Sequence, residues 1–178
     1  MNTQKWVIDP AHSEVSFKVR HMMISNVKGE FKTFSADITT RDDDFSKADV
    51  KVTVDAASIA TGNTDRDVHV KAPDFFDVEK YPEIMFKGKK LEPVDGDGSF
   101  EIYGELTIKG ITKEVKLDVE FGGIQKDPWG NEKAGFSVNG KIDRTEWDLK
   151  WNAALETGGV LVSDTVNINC EVQLMRSA

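Results

Sequence analysis

Hydrophobic and polar residues alternate with a period of two along most of this chain, a pattern typical of strands rather than helices. In the first clear stretch, Val15, Phe17 and Val19 share one phase, and His21 continues it. Because successive side chains of a strand point to opposite faces, His21 is predicted to lie on the apolar face of a sheet. Comparable alternation predicts further strands over 27–38, 48–54, 84–88, 100–108, 115–121, 136–142 and 166–174.

One segment departs from this alternation and predicts a short helix. Asn63 can cap a helix over residues 64 to about 71, and Pro73 ends it. The loop 74–82 carries several aromatic residues. We expect them to hold the helical region against one end of the sheet.

Two irregularities fit the same picture of strands joined by short turns. The phase slips between Thr33 and Phe34, which predicts a β-bulge, and residues 95–98 (DGDG) predict a tight hairpin turn. About eight strands without βαβ alternation indicate an all-β antiparallel barrel or sandwich, with a short helical insertion around residues 63–80. No linker or repeat divides the chain, so residues 1–178 are predicted to form a single domain.

Composition narrows the class of protein. The chain has 178 residues, of which 39% are hydrophobic and 30% charged, as in globular proteins with a full core. Its formal net charge of −8, with acidic and basic residues interleaved, argues against nucleic acid as a partner. The sequence holds no run of about 20 apolar residues, so stable membrane insertion is not expected.

The N-terminus bears on the location of the protein, and the single cysteine on its stability. Residues 1–10 lack the apolar core and small-residue cleavage site of a secretory signal, so we expect the protein to remain in the cytoplasm; a periplasmic location is expected only if a signal was removed. Cys170 cannot form an internal disulfide. It lies between Ile168 and Val172 in one phase, which predicts a buried, inert thiol.

The apolar phases contain many small residues, which raises the question of whether the interior is filled. An eight-stranded barrel is either just filled by side chains or able to hold one small ligand. Glycines can also mark bends and bulges that any barrel needs. Taken together, the small residues favour an apolar cavity suited to a hydrocarbon chain, and replacing Gly104 or Gly140 with leucine should abolish lipid retention while leaving a folded barrel. The small inward residues are Gly29, Ala36, Ala48, Gly88, Gly104, Gly140 and Cys170.

A series of ordered motifs runs along nearly the whole chain. They are 6–13 (WVIDPAHS), 15–21 (VSFKVRH), 25–31 (SNVKGEF), 75–82 (FFDVEKYP) followed by Phe86, 104–112 (GELTIKGIT), 143–147 (DRTEW) and 162–166 (VSDTV). These motifs resemble those of the YceI-like family of lipocalin-like, polyisoprenoid-binding proteins. One motif departs in part, because many relatives carry phenylalanine where Trp147 stands. Family members are also often secreted to the periplasm, whereas no signal is apparent here.

The resemblance implies an extended, eight-stranded, lipocalin-like barrel with a tunnel for an isoprenoid chain or a similar lipid. No cofactor is expected, although an isoprenoid lipid or quinone could be bound. The ligand-binding residues are predicted to be His21, Phe17, Val19, Phe31, Val52, Phe86, Ile102, Gly104, Leu106, Val138, Gly140, Trp147, Trp151 and Ile168.

The polar candidates each allow two interpretations. His21 could orient a polar head group, or it could bond a backbone carbonyl near the barrel end. Trp147 and Trp151 could line the tunnel mouth or plug one end. The charged cluster around His69 in the predicted helix is interpreted as a solvated face, and Arg20 as facing solvent.

These features lead to three functional hypotheses. The first is a protein that binds a long apolar ligand for transport, storage or sequestration. The second is an enzyme acting on a small apolar substrate with His21 as general base, and the third is a structural module with a filled barrel. The histidines lack metal-ligand spacing, so no metal site is predicted, and a homodimer is left open because edge strands need cover.

Overall fold

The computed structural model describes residues 3–22, 24–42, 44–94, 98–152 and 162–177. In these ranges the chain forms eleven strands, one α-helix and short 3-10 turns at Pro10–His12, Ala56–Ser58 and Arg144–Trp147. The strands are β1 (Thr3–Ile8), β2 (Glu14–His21), β3 (Ser25–Phe31), β4 (Phe34–Arg41), β5 (Asp44–Asp55), β6 (Ile59–Ala60), β7 (Glu83–Pro93), β8 (Ser99–Ile108), β9 (Ile111–Lys126), β10 (Glu132–Asp143) and β11 (Val162–Arg176). The helix is α1 (Thr64–Lys71).

The strands form one antiparallel sheet that closes on itself, because β1 pairs with both β4 and β11. Several strands are halves of longer, bent strands. β1 and β2 pair with β11 on either side of the turn Pro10–His12, β3 and β4 pair with β2 and β1, and β5 and β6 pair with β4 and β3. Counted as continuous strands, they make an eight-stranded antiparallel barrel, which confirms the predicted fold.

The two ends of the barrel differ. The β2–β3 hairpin, α1 and the turn Arg144–Trp147 lie at one end, which we call the mouth. The hairpins that join β4 to β5, β7 to β8 and β9 to β10 lie at the opposite end, which we call the base. The helical insertion is therefore placed at the mouth.

Helix α1 begins where the sequence predicted. The side chain of Asn63 accepts a hydrogen bond from the Arg66 backbone N–H at 2.9 Å, which satisfies one of the unpaired donors of the first turn. After the helix, the ring of Phe76 packs edge-on against Phe31, with centroids 6.0 Å apart. The aromatic loop thus holds the helical region against the barrel, as expected.

The phase slip at Thr33 reflects a bend shared by two neighbouring strands. Lys32 and Thr33 separate β3 from β4, and the backbone N–H of Asp55 donates to the Thr33 carbonyl at 2.9 Å. The turn Ala56–Ser58 interrupts the paired strand at the same level. The predicted irregularity is therefore a break at the same level in two paired strands. The other predicted irregularity, the tight turn over 95–98, lies mostly outside the described residues.

An aromatic cluster closes the base. Phe45 packs against Trp6, Phe121 and Phe136, with ring centroids 5.0 to 5.4 Å apart. Trp6 is buried, and its Nε1 donates to Thr40 Oγ1 at 3.0 Å, so its one polar atom is satisfied. None of the described helices has the length and apolar character needed to cross a membrane.

Candidate ligand-binding site

A cavity of about 650 Å³ occupies the barrel interior. It ends near the base on Phe45 and Phe136, and its walls consist mostly of valine, isoleucine, leucine and phenylalanine side chains. Ser16 in the wall is polar, but the other polar lining residues concentrate at the mouth; they are Arg20, His21, Thr61, Asp65, Arg66, His69 and Arg144. The site is therefore an apolar tube with a polar rim at one end.

Most of the residues predicted to bind ligand line this cavity. His21 lies at the mouth, where β2 ends, and is paired with Ser25 of β3 and Val162 of β11. The other predicted residues that line the cavity are Phe17, Val19, Phe31, Val52, Phe86, Ile102, Leu106, Val138, Trp151 and Ile168. The remaining three, Gly104, Gly140 and Trp147, do not.

The two glycines make room for neighbouring side chains instead of leaving space open. A Cβ atom at Gly104 would lie 2.6 Å from Phe86 Cζ and 2.6 Å from the Lys87 carbonyl oxygen. One at Gly140 would collide with Leu117 Cδ2. The expectation that these two positions contribute open volume is wrong, because adjacent side chains already occupy that space.

The two tryptophans near the mouth have different roles. Trp147 is only 1% exposed, and its Nε1 donates to the Leu106 carbonyl at 3.0 Å, so it plugs the barrel as part of the core. Trp151 lines the cavity instead. Its ring lies against His69 and Phe75, with centroid distances of 4.7 and 5.5 Å. The sequence allowed these tryptophans either to plug one end or to line the mouth; Trp147 does the first and Trp151 does the second.

Helix α1 contributes charged residues to the rim. Arg66 donates from Nε to Thr61 Oγ1 at 2.9 Å and from Nη2 to the Thr61 carbonyl at 2.7 Å. The Asp67 carboxyl accepts from the Thr61 hydroxyl at 2.5 Å and from the Thr61 backbone N–H at 2.8 Å, and these two bonds hold the pKa of Asp67 below the ordinary value. The interpretation of a solvated helix face was wrong for Arg66 and His69, which are half-buried and line the mouth.

Arg144 joins Leu149 and Trp151 to the start of β11 at the rim. It is 4% exposed and donates to the backbone carbonyls of Leu149, Trp151, Val162 and Ser163. Burial lowers the pKa of its guanidinium group from the ordinary value. These carbonyls use its donors, so Arg144 supports the architecture of the rim.

Arg20 and Cys170 also border the cavity. Arg20 is exposed, as its phase in β2 predicted, and it lies at the mouth of the cavity as well. Cys170 lines the cavity wall, where burial raises the pKa of its thiol to about 11. The thiol therefore stays protonated at neutral pH and is a poor nucleophile, in line with the predicted inert role.

The lower part of the cavity was not identified from the sequence. Ile8, Ile38, Phe45 and Leu174 line it near the base. Their alternation in strands that are neighbours in the sheet is the signal that could have indicated them. Among the described residues, no group of three or more histidine, cysteine, aspartate or glutamate side chains is placed to hold a metal ion.

Comparison with known proteins places the chain in a family. The model of the YceI-like domain matches residues 6–174. The chain belongs to the YceI-like family. It is 36% identical over 170 residues to a UPF0312 protein of Staphylococcus epidermidis, covering 95% of this chain and 96% of the relative. A UPF0312 protein of Staphylococcus aureus is 37% identical over 169 residues, covering 94% and 95%.

Solved structures of other proteins share the barrel. The YCEI protein of Campylobacter jejuni is 40% identical, with a TM-score of 0.76 and coverage of 96% of both chains. BcnA of Burkholderia cenocepacia is 25% identical, with a TM-score of 0.80 and coverage of 93% and 98%. A polyisoprenoid binding domain from Saccharophagus degradans, 13% identical with a TM-score of 0.70, covers 97% and 98% and shows the same fold.

Proposed function

We propose that this YceI-like protein binds a long apolar ligand inside its barrel, such as a polyisoprenoid, an isoprenoid quinone or a similar lipid. Binding would serve transport, storage or sequestration of that lipid. The main support is the apolar cavity of about 650 Å³, which falls within the usual range of about 300–1,000 Å³ for ligand pockets. The Saccharophagus degradans domain indicates that the same fold is compatible with a polyisoprenoid.

The distribution of polar groups favours one orientation of the ligand. The apolar tail would lie toward Phe45 and Phe136 at the base, because each buried methylene contributes about 0.8 kcal/mol. The polar head would lie among His21, Arg66 and His69 at the mouth, where donors are available. His21 then acts as an orienting contact, and the proposed function requires no chemical step.

Ligand extraction tests this proposal directly. Purified protein is extracted with organic solvent, and the extract is analysed by mass spectrometry. We expect a long-chain lipid in stoichiometric amount, and the extracted protein should take up a fluorescent isoprenoid probe. A barrel that yields no lipid and takes up no probe would contradict the proposal.

A paired substitution on β5 tests whether the ligand lies in the cavity. Ala48 lines the cavity, and its neighbour Asp49 is exposed on the outer face. We expect Ala48→Leu to lower probe affinity about tenfold, because the larger side chain occupies ligand volume. Asp49→Leu adds the same side chain outside and should leave affinity unchanged. Equal affinities for both variants would show that the probe binds elsewhere.

A further inference from the structure

We propose that the end of the β2–β3 hairpin docks reversibly on an anionic lipid bilayer and presents the cavity mouth to it. We call Arg20, His21, Met22 and Ile24 the hairpin tip. The inference goes beyond ligand binding, and it rests on the proposed function only for its purpose, which is the exchange of lipid with a membrane.

The hairpin tip carries apolar side chains in water. Ile24 is 77% exposed and Met22 is 42% exposed, and both lie beyond the last paired residues, His21 and Ser25. Neither lines the cavity. Side chains of this kind, placed at an edge of the molecule, gain free energy when they enter the interfacial region of a bilayer.

The charge of this hairpin is opposite to that of the whole chain. The chain has a net charge of −8, yet residues 15–29 contain no aspartate or glutamate. Their charged residues are Lys18, Arg20 and Lys28, of which Lys28 forms an ion pair with Glu14 at 2.8 Å. Lys18 and Arg20 are exposed. The basic and apolar side chains of the tip complement anionic head groups. The rest of the chain has a net negative charge, so anionic head groups repel it.

Helix α1, at the same end of the barrel, has no such excess of basic residues. Residues 64–71 contain Asp65, Asp67, Arg66 and Lys71, so their formal charges cancel, and Asp65 is exposed. An anionic surface would therefore favour an approach with the hairpin leading.

The backbone of Met22 has a conformation that is uncommon for methionine. Its φ is +53°, in the left-handed region where glycine, asparagine and aspartate are preferred and a bulky residue is uncommon. Residues in sparsely populated backbone conformations are often found at functional sites. An exposed methionine at this position fits insertion into lipid.

The hairpin tip is continuous with the cavity. His21 and Arg20 line the mouth, while Met22 and Ile24 follow directly in the same hairpin. A bilayer that held the two apolar side chains would thus lie beside the opening. A tail could then move from lipid to cavity with little exposure to water.

Vesicle flotation tests the docking surface. Wild-type protein is mixed with vesicles of phosphatidylcholine and phosphatidylglycerol, and with phosphatidylcholine alone. We expect the protein to float with the mixed vesicles, and we expect added salt to weaken this flotation. Flotation should also be weaker with vesicles of phosphatidylcholine alone, which lack the anionic lipid. The double variant M22N/I24S should partition about tenfold less, because two apolar side chains are lost. Asparagine suits the positive φ of residue 22, so the variant should remain folded.

Trp129 provides the matched control. It is 84% exposed, but it lies in the β9–β10 hairpin at the base. Trp129→Ser should partition like the wild type. Normal flotation of M22N/I24S, loss of flotation in Trp129→Ser, or no flotation of the wild type would each overturn the docking surface.

Probe uptake in solution separates this inference from the proposed function. M22N/I24S should take up the fluorescent isoprenoid probe as the wild type does when no vesicles are present. Probe uptake without flotation of the wild type would leave ligand binding intact and the docking surface wrong. Flotation that depends on the hairpin tip without probe uptake would support docking and contradict ligand binding.

Discussion

At the scale of single residues, small side chains in this barrel determine where their large neighbours lie. Phe86 occupies the space above Gly104, and Phe17 occupies the space above Gly29, where an added Cβ would meet Phe17 Cζ at 2.3 Å. The open volume is bounded instead by residues such as Ala36 and Ala48. Glycine and alanine therefore contribute differently, although both are small and both face inward.

Gly104→Ala should destabilise the protein. The new Cβ would lie 2.6 Å from the Lys87 carbonyl oxygen, which is backbone and cannot rotate away. We expect a loss of about 1–3 kcal/mol in the free energy of unfolding, measured by chemical denaturation. Gly135→Ala is the control, since no atom lies within 4 Å of its added Cβ. A Gly104→Ala variant as stable as Gly135→Ala would contradict this packing.

The phase of each strand was enough to predict which residues face inward, such as Phe17, Ile102 and Ile168. It was not enough to predict which inward positions border open space. That depends on the rotamers of residues on neighbouring strands, such as Phe86 beside Gly104. A single sequence carries no pairing register, so the roles of Gly104 and Gly140 could not be found from it.

At the scale of elements, the segment after β10 depends on one buried cation. Arg144 joins the carbonyls of Leu149 and Trp151, which precede the undescribed residues 153–161, to those of Val162 and Ser163 in β11. Backbone carbonyl oxygens that are shielded from water need donors; Arg144 supplies one to each of these four, and Asn152 Nδ2 supplies a second to Val162 at 2.7 Å. The Arg144 side chain thus anchors the part of the rim that carries Trp151.

Arg144→Met should destabilise this element. Methionine is close in size but donates no hydrogen bonds, so several carbonyl groups lose their partner. We expect a loss on the order of 3 kcal/mol in the free energy of unfolding, measured by chemical denaturation. Lys150→Met, at an exposed position in the same segment, should change stability by less than about 0.5 kcal/mol. Equal effects of the two substitutions would show that Arg144 does not anchor the segment.

Strands and the helix were accessible from the sequence because they follow local rules. Alternation identified the barrel strands, and Asn63 identified the start of α1. The burial of Arg144 was not accessible, since its partners are backbone carbonyls that leave no pattern in the side chains. The position of α1 over the mouth also depends on its bonds to Thr61, which no periodicity shows.

At the scale of the whole molecule, Asp9 helps to close the barrel. It lies at the bend between β1 and β2, and its Oδ2 accepts from Lys133 Nζ of β10 at 2.8 Å and contacts His12 Nδ1 at 2.8 Å. Strand β11 lies between these two elements in the sheet. The ion pair therefore spans the strand that joins the first and last parts of the barrel.

This arrangement predicts a loss of stability in acid. Hydrogen bonds from Lys133 and then His12 hold the pKa of Asp9 at about 2, below its ordinary value of 3.8. The stabilisation is complete above pH 3.8 and is lost as the pH falls toward 2, because protonation removes the charge. We expect Asp9 to account for on the order of 1–2 kcal/mol of this decrease.

Chemical denaturation between pH 7 and pH 2 measures the effect. Asp9→Asn should be less stable than the wild type at pH 7 and should lose less stability on acidification. Asp49→Asn, at an exposed position, should follow the wild-type profile. If Asp9→Asn shows the full wild-type decrease, the ion pair does not contribute to barrel closure.

The aromatic cluster at the base gives the tube a fixed floor. Phe45 and Phe136 end the cavity, and Trp6 and Phe121 pack against Phe45 below it. A cavity that is closed at the base and open at the mouth limits the length of apolar tail that it can enclose: a short tail would leave empty space, and a long one would keep its head group outside. The barrel would then select ligands by the number of carbon atoms between the polar head and Phe45.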